Sequence, residues 1–106
     1  MNGEHITWAA IRGEDGTLYV AAAHHRCGAA YVRRTGKRPF PGGEAQGFVT
    51  GGGRFVSRKE AMLIALAAGQ VVRTPTGHDH RTPGEVGMDA DELYSEDLRE
   101  LRPLRG

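Results

Sequence analysis

The chain has 106 residues, 39% of them apolar and 25% charged, with a net charge of +1, which predicts one ordinary globular domain spanning residues 1–106. No apolar run approaches the ~20 residues of a membrane-spanning helix, and the N-terminal MNGEHITW lacks the basic and apolar regions of a secretory signal. The single Cys27 allows neither an internal disulfide nor a cysteine-based zinc site, so a reducing, cytosolic setting is expected, and membrane, disulfide-rich and collagen-like classes are excluded.

In chain order, Ile6–Arg12 reads as a strand, residues 14–17 as a turn around Gly16, and residues 18–22 as the returning strand. Period-two alternation places Ile6, Trp8 and Ala10 on one face, matched by Leu18, Val20 and Ala22. From His24 to about Thr35 the period becomes helical, with His24, Cys27, Tyr31 and Arg34 on one side and Gly36 as the stop. Residues 37–43 form a loop by composition. Gln46–Thr50 and Arg54–Val56 flank the turn Gly51-Gly52-Gly53. Ser57 and Glu60 then predict a capping box opening a helix over residues 58–68, with Ala61, Ile64, Ala65 and Ala68 on its stripe and Gly69 ending it. Val71–Arg73 is a possible short strand. Residues 74–88, rich in Gly and Pro, read as a loop insertion, and a last, acidic helix is expected within residues 89–101. The class is α+β: a small antiparallel sheet with two or three helices.

Charge is segregated along the chain. From Arg12 to Lys59 there are nine Lys/Arg against three Asp/Glu, a local +6; from Glu60 onward five Lys/Arg meet nine Asp/Glu, a local −4. A basic front suits an anionic partner, and complementary halves can equally attract one another within the fold or between copies. The core is small for a chain of this size, which favours a homodimer or larger assembly.

Several residues are candidates for chemistry. Arg54 and Arg58 follow the Gly51–Gly53 turn, and Arg58 opens the capped helix, where free amides and the helix dipole favour an anion; the competing reading is a solvated charged face. His24-His25 begins the first helix and can bind a ligand or simply pack. His78-Asp79-His80 has zinc-like residue types without the third ligand a catalytic site wants, so no metal and no cofactor are expected. No Gly-x-Ser-x-Gly elbow occurs, and Ser57 and Ser95 are the only serines, which argues against a serine hydrolase. Cys27 reads as a buried thiol. Arg33-Arg34-x-x-Lys37-Arg38 can contact phosphates, but no DNA-reading motif accompanies it, so nucleic acid is disfavoured as a partner.

The order Ala10-Ile11, His24-His25, Gln46-Gly47-Phe48-Val49-Thr50, Arg54-Phe55-Val56-x-Arg58-x-Glu60-Ala61, Ile64-Ala65, Gly69-Gln70 and Leu93-Tyr94-Ser95-Glu96-Asp97-Leu98 resembles a family of small phage-encoded proteins, the Thoeris anti-defence 1 family. It covers most of residues 6–72 and 93–98. The resemblance implies a sponge with no catalytic residues: an oligomer in the host cytoplasm that binds a cyclic ADP-ribose-type immune signal, or cyclic oligonucleotides, without cleaving it. It carries over as candidate ligand contacts His24, His25, Gln46, Gly47, Phe48, Arg54, Phe55 and Arg58. Arg54 and Arg58 would pair with phosphates, Phe48 or Phe55 would stack on the base, and Gln46, the Gly47 amide and the histidines would read base, ribose or phosphate edges. Ala22-Ala23 departs from a basic residue common before the histidine pair in such proteins. The alternatives are a protein-binding inhibitor of a host effector and a small enzyme degrading a nucleotide signal, with a metal at His78 and His80.

Overall fold

A computed structural model describes residues 4–38, 40–75 and 83–98. Four antiparallel strands, β1 (Ile6–Arg12), β2 (Leu18–Ala21), β3 (Gln46–Thr50) and β4 (Phe55–Ser57), form a sheet in the order β2-β1-β3-β4. Helices α1 (His24–Thr35) and α2 (Arg58–Ala67) follow the two hairpins. The expected α+β architecture is present.

Both helices pack on one face of the sheet. Ala9, Ile11, Tyr19, Phe48 and Val56 join Cys27 and Tyr31 of α1 and Ala61, Met62 and Ala65 of α2 in a single buried cluster. Tyr19 and Tyr31 meet edge to face at 5.4 Å and lock α1 onto β2. On the opposite face lie Trp8, Ala10, Val20, Val49 and Phe55, with Val20 42% exposed.

The first hairpin forms as expected, and Ala10 shares its face with Val20, but Ile6 leaves the face expected for it with Trp8 and Ala10. Ile6 stands opposite Thr50 and Trp8 opposite Val49, so Thr7 is an extra residue and the register shifts there. A bulge of this kind flips every later side chain. Ala9 and Ile11 therefore point into the core with Tyr19, while Ala10 and Val20 turn away.

α2 starts where Ser57 predicts it: the Ser57 hydroxyl accepts from the Glu60 amide at 3.0 Å. Only half of the capping box is made, because the Glu60 carboxylate turns to Arg54 instead. The buried stripe is Ala61, Met62 and Ala65; Ile64 is half-buried and Ala68 is exposed. After Ala68 the chain leaves through Gly69 at φ +75°, and the Gln70 amide reaches back to the Ala65 carbonyl at 2.8 Å. The Gln70 side chain then acts as a one-residue strand: it accepts from Ile6 N–H and donates to Ile6 C=O, both at 2.8 Å.

The C-terminal region differs from expectation. Val72–Arg73 (β5) pairs in parallel with Glu85–Val86 (β6), a strand inside the stretch read as loop. The described part of the expected last helix is irregular, with one 3₁₀ turn at Ser95–Asp97. It is pinned to the body: Leu93 and Leu98 are buried, Leu93 N–H donates to the Arg58 carbonyl at 3.0 Å, and Gly84 N–H donates to that of Asp97 at 2.7 Å. Two leucines five residues apart dock this segment, so helical periodicity is not what organises it.

Candidate functional site

The sequence candidates do not gather in one place. Three of them, Gln46, Phe55 and Arg58, line a cleft of about 630 Å³ at the N-terminus of α2, a volume in the range of small-molecule sites. The cleft also takes Arg12 from the end of β1, Lys59 from α2, Glu44 from the 3₁₀ turn Gly43–Ala45, and Glu92 from the C-terminal segment.

Phe55 is the centre of the cleft wall. Its ring lies over Gly47, where a Cβ would fall 2.8 Å from it and would also overlap the Val56 carbonyl. The Arg12 guanidinium stands 4.8 Å from the centre of the same ring, a cation–π arrangement that holds the charge at the cleft. Gln46 donates to the Pro41 carbonyl at 3.2 Å, leaving its amide oxygen without a partner among the described residues.

Arg58 is mostly buried, with 19% of its side chain exposed, and lies 5.2 Å from the centre of the Tyr94 ring. Its one acidic neighbour among the described ion pairs is Glu92, at a long 3.9 Å. Tyr94 thus orients the guanidinium while leaving it weakly neutralised.

The other five candidates have different roles. Arg54 does not line the cleft and is engaged by carboxylates: its Nη2 and Nε meet Glu4 at 2.5 and 3.0 Å, and its Nη1 meets the cleft residue Glu60 at 3.0 Å. These bonds hold the Glu4 carboxyl below its ordinary range and push the guanidinium further up. Arg54 is thus neutralised by two carboxylates, where Arg58 has one distant one among the described residues. Phe48 is fully buried, edge to face with His24 at 5.0 Å, and offers no stacking surface. Gly47 is buried in the sheet; its carbonyl accepts from His24 Nε2 at 2.7 Å. His24 is a structural tie between α1 and β3, and burial lowers its pKa. His25, one residue on, is exposed and lines a second groove, with Gly28, Val32, Arg33 and Phe40. Adjacent helical residues point about 100° apart, which is why the pair divides.

Sequence reasoning missed Arg12, Lys59, Glu44 and Glu92. Arg12 had a usable signal, since it alternates with Ile11 and shares a sheet face with Phe55. Nothing in the sequence places Glu92 beside Arg58; that contact needs the Leu93 anchor. The thiol of Cys27 is pushed up to about 11 by burial and is inert, as expected. No group of three His, Cys, Asp or Glu residues among those described can hold a metal, and His78, Asp79 and His80 lie outside the described residues. No described helix is long and apolar enough to cross a membrane.

Neither the curated proteins nor the solved structures contain a match to this chain. The family model of the phage T4 y16D protein matches residues 5–98, from the start of β1 to the end of the Leu93–Leu98 segment. The chain belongs to this family of small phage proteins.

Proposed function

We propose that the chain is a binding protein that captures a small phosphorylated nucleotide in the α2 cleft and releases it unchanged. The observation that carries this reading is the convergence of Arg12, Arg58 and Lys59 with the Phe55 ring and the Gln46 amide around a 630 Å³ space. A pyrophosphate suits the guanidinium forks and the ammonium through charge-assisted bonds. The free N–H groups and dipole at the start of α2 add to the same field. A base stacks on the Arg12–Phe55 pair, and the Gln46 amide reads its edge.

The lining supports capture rather than turnover. Among the described residues no His or Cys lines the cleft, and the hydroxyl group there, that of Ser57, serves as the cap of α2. The bases in the lining are the carboxylates of Glu44, Glu60 and Glu92, of which Glu60 is held by Arg54 and Glu92 faces Arg58. Glu92 holds the place of the ligand's phosphate: at 3.9 Å it makes a poor ion pair, and a phosphate displaces it at low cost.

The resemblance to the Thoeris anti-defence 1 family narrows the ligand to a cyclic ADP-ribose-type or cyclic oligonucleotide signal. On this reading the protein is a phage immune-evasion sponge acting in the host cytoplasm as a homodimer or larger assembly. The test is depletion: protein is mixed with such signals, filtered, and the filtrate analysed before and after heating the retained protein. Signal that vanishes from the filtrate and returns intact on heating supports capture. Return of a cleaved product makes the protein an enzyme, and absence of depletion overturns capture in favour of a protein partner.

A further inference from the structure

We propose that a second copy of this chain seats its Met88 loop in the groove between α1 and Phe40, making a head-to-tail contact. This deepens the assembly named above, rests on that part of the reading alone, and needs no ligand.

The groove, about 750 Å³, runs along one stripe of α1. Its floor is apolar: Ala29, Val32 and the Phe40 ring, which lies so close to Gly28 that a Cβ there would overlap it. Its rim is His25, Arg33 and Arg38, and no Asp or Glu among the described residues lines it. Arg33 and Arg38 have no ion-pair or hydrogen-bond partner among the described residues. An apolar trough bordered by unpaired guanidinium groups calls for an apolar side chain flanked by carboxylates.

The same molecule carries such an element elsewhere. Met88 is 57% exposed at the tip of a turn and is followed by exposed Asp89 and Asp91. The turn is held rigid from beneath: Arg73 Nη1 donates to the carbonyls of Gly87, Met88 and Ala90 at 2.9, 3.2 and 2.9 Å. The knob is thus ordered before it binds, which lowers the entropic cost of association. Methionine is long, flexible and polarizable, suited to a trough lined by an aromatic ring and small residues. No described residue of 83–98 lines the groove of its own chain, so a Met88 loop seated there is that of another copy. Because knob and groove are different surfaces, the contact is heterologous and propagates into a ring or a chain.

The test uses two full-length variants, each lacking one half of the contact. Met88→Asp removes the knob and keeps the groove; Ala29→Glu puts a carboxylate on the exposed groove floor and keeps the knob. Isotope-labelled Met88→Asp is titrated with unlabelled Ala29→Glu and followed by amide NMR shifts. Saturable shifts confined to residues 25–40 are expected, and they should fall at least tenfold in apparent affinity when the added partner is also Met88→Asp. Equal shifts with both partners, or no shifts up to millimolar protein, overturn the proposal. The spectrum of each variant alone reports its folding; if Ala29→Glu misfolds, Arg33→Glu/Arg38→Glu replaces it, since both side chains are exposed. Loss of this contact with signal depletion intact separates its failure from that of the capture reading.

Discussion

The α2 cleft and the α1 groove draw on the same basic front of the sequence, yet their electrostatics differ. In the cleft, Arg12 lies on Phe55, Arg58 lies on Tyr94 near Glu92, and Glu44 and Glu60 complete the lining. In the groove, His25, Arg33 and Arg38 surround apolar residues with no carboxylate among the described lining residues. The local +6 of residues 12–59 therefore resolves into a compensated, oriented set of cations and an uncompensated set. An oriented, half-neutralised cation suits exchange with a small anion. A bare cationic rim around an apolar floor suits a larger surface that brings its own carboxylates.

Each region depends on a glycine under an aromatic ring, and substituting them separates the two most strongly. At Gly47 an added Cβ meets both Phe55 and the backbone carbonyl of Val56, which cannot move without breaking the β3–β4 ladder. Gly47→Ala is expected to destabilise the fold by about 3 kcal/mol or more, lowering the melting temperature by roughly 10 °C or more in a thermal scan. An unchanged melting temperature would mean that β4 can shift outward and that the cleft wall is soft.

The arginines give the next largest effect. Arg58→Ala removes a charge-assisted contact to the ligand, so capture of signal should weaken by about ten- to a hundredfold. Arg54→Ala should weaken capture much less, by about two- to fivefold, because Arg54 does not line the cleft and acts there only through Glu60, whose lining carboxylate it neutralises. Equal losses in a depletion titration would place both arginines on one ligand and erase the distinction drawn here.

Gly28→Ala is expected to act differently from Gly47→Ala. Here the three nearest atoms to the added Cβ all belong to the half-buried Phe40 side chain, not to a backbone carbonyl. Alanine also gains about 1 kcal/mol of helix propensity over glycine in α1. The melting temperature should therefore move by only a few degrees, while the head-to-tail contact of the Met88→Asp and Ala29→Glu pair is lost when the labelled partner also carries Gly28→Ala. A large loss of stability would instead show that Phe40 is a core residue rather than a groove wall.

Local signals carried most of the fold. The Gly16 and Gly51–Gly53 turns, the helical period from His24, and the Ser57 cap are contacts within a few residues, and all appear where the pattern puts them. What stayed illegible depends on distant partners. The Thr7 bulge is defined against β3, some forty residues on, and the Gln70 amide pairing with Ile6 spans 64 residues. The site shows the same division. Arg58 was marked by its helix terminus, but Arg54 looked equivalent until Glu4, fifty residues away, was found on it. Phe48 and Phe55 are equally aromatic in sequence; register against Val56 and Val49 buries one and leaves the other half-buried on the cleft wall.

His24 gives the smallest expected effect and links the two regions. It begins the helix that carries the groove, and its ring reaches the strand that floors the cleft wall. Burial lowers its pKa most, and the Arg58 charge lowers it further; the Gly47 carbonyl and Glu96 oppose the shift. In the unfolded chain the ring takes up a proton near its ordinary value of 6.5. The unfolded state thus binds more protons just below that pH. The stability His24 contributes is complete above 6.5 and is lost as pH falls from there through the lower folded value. Melting temperatures should decline between pH 7 and 5, and His24→Gln, which keeps an N–H for Gly47, should show a shallower decline. An identical slope would assign the pH dependence to other groups. Anion capture at Arg58 would offset part of that arginine's repulsion of the protonated ring, so saturating ligand should shallow the wild-type slope in the same direction.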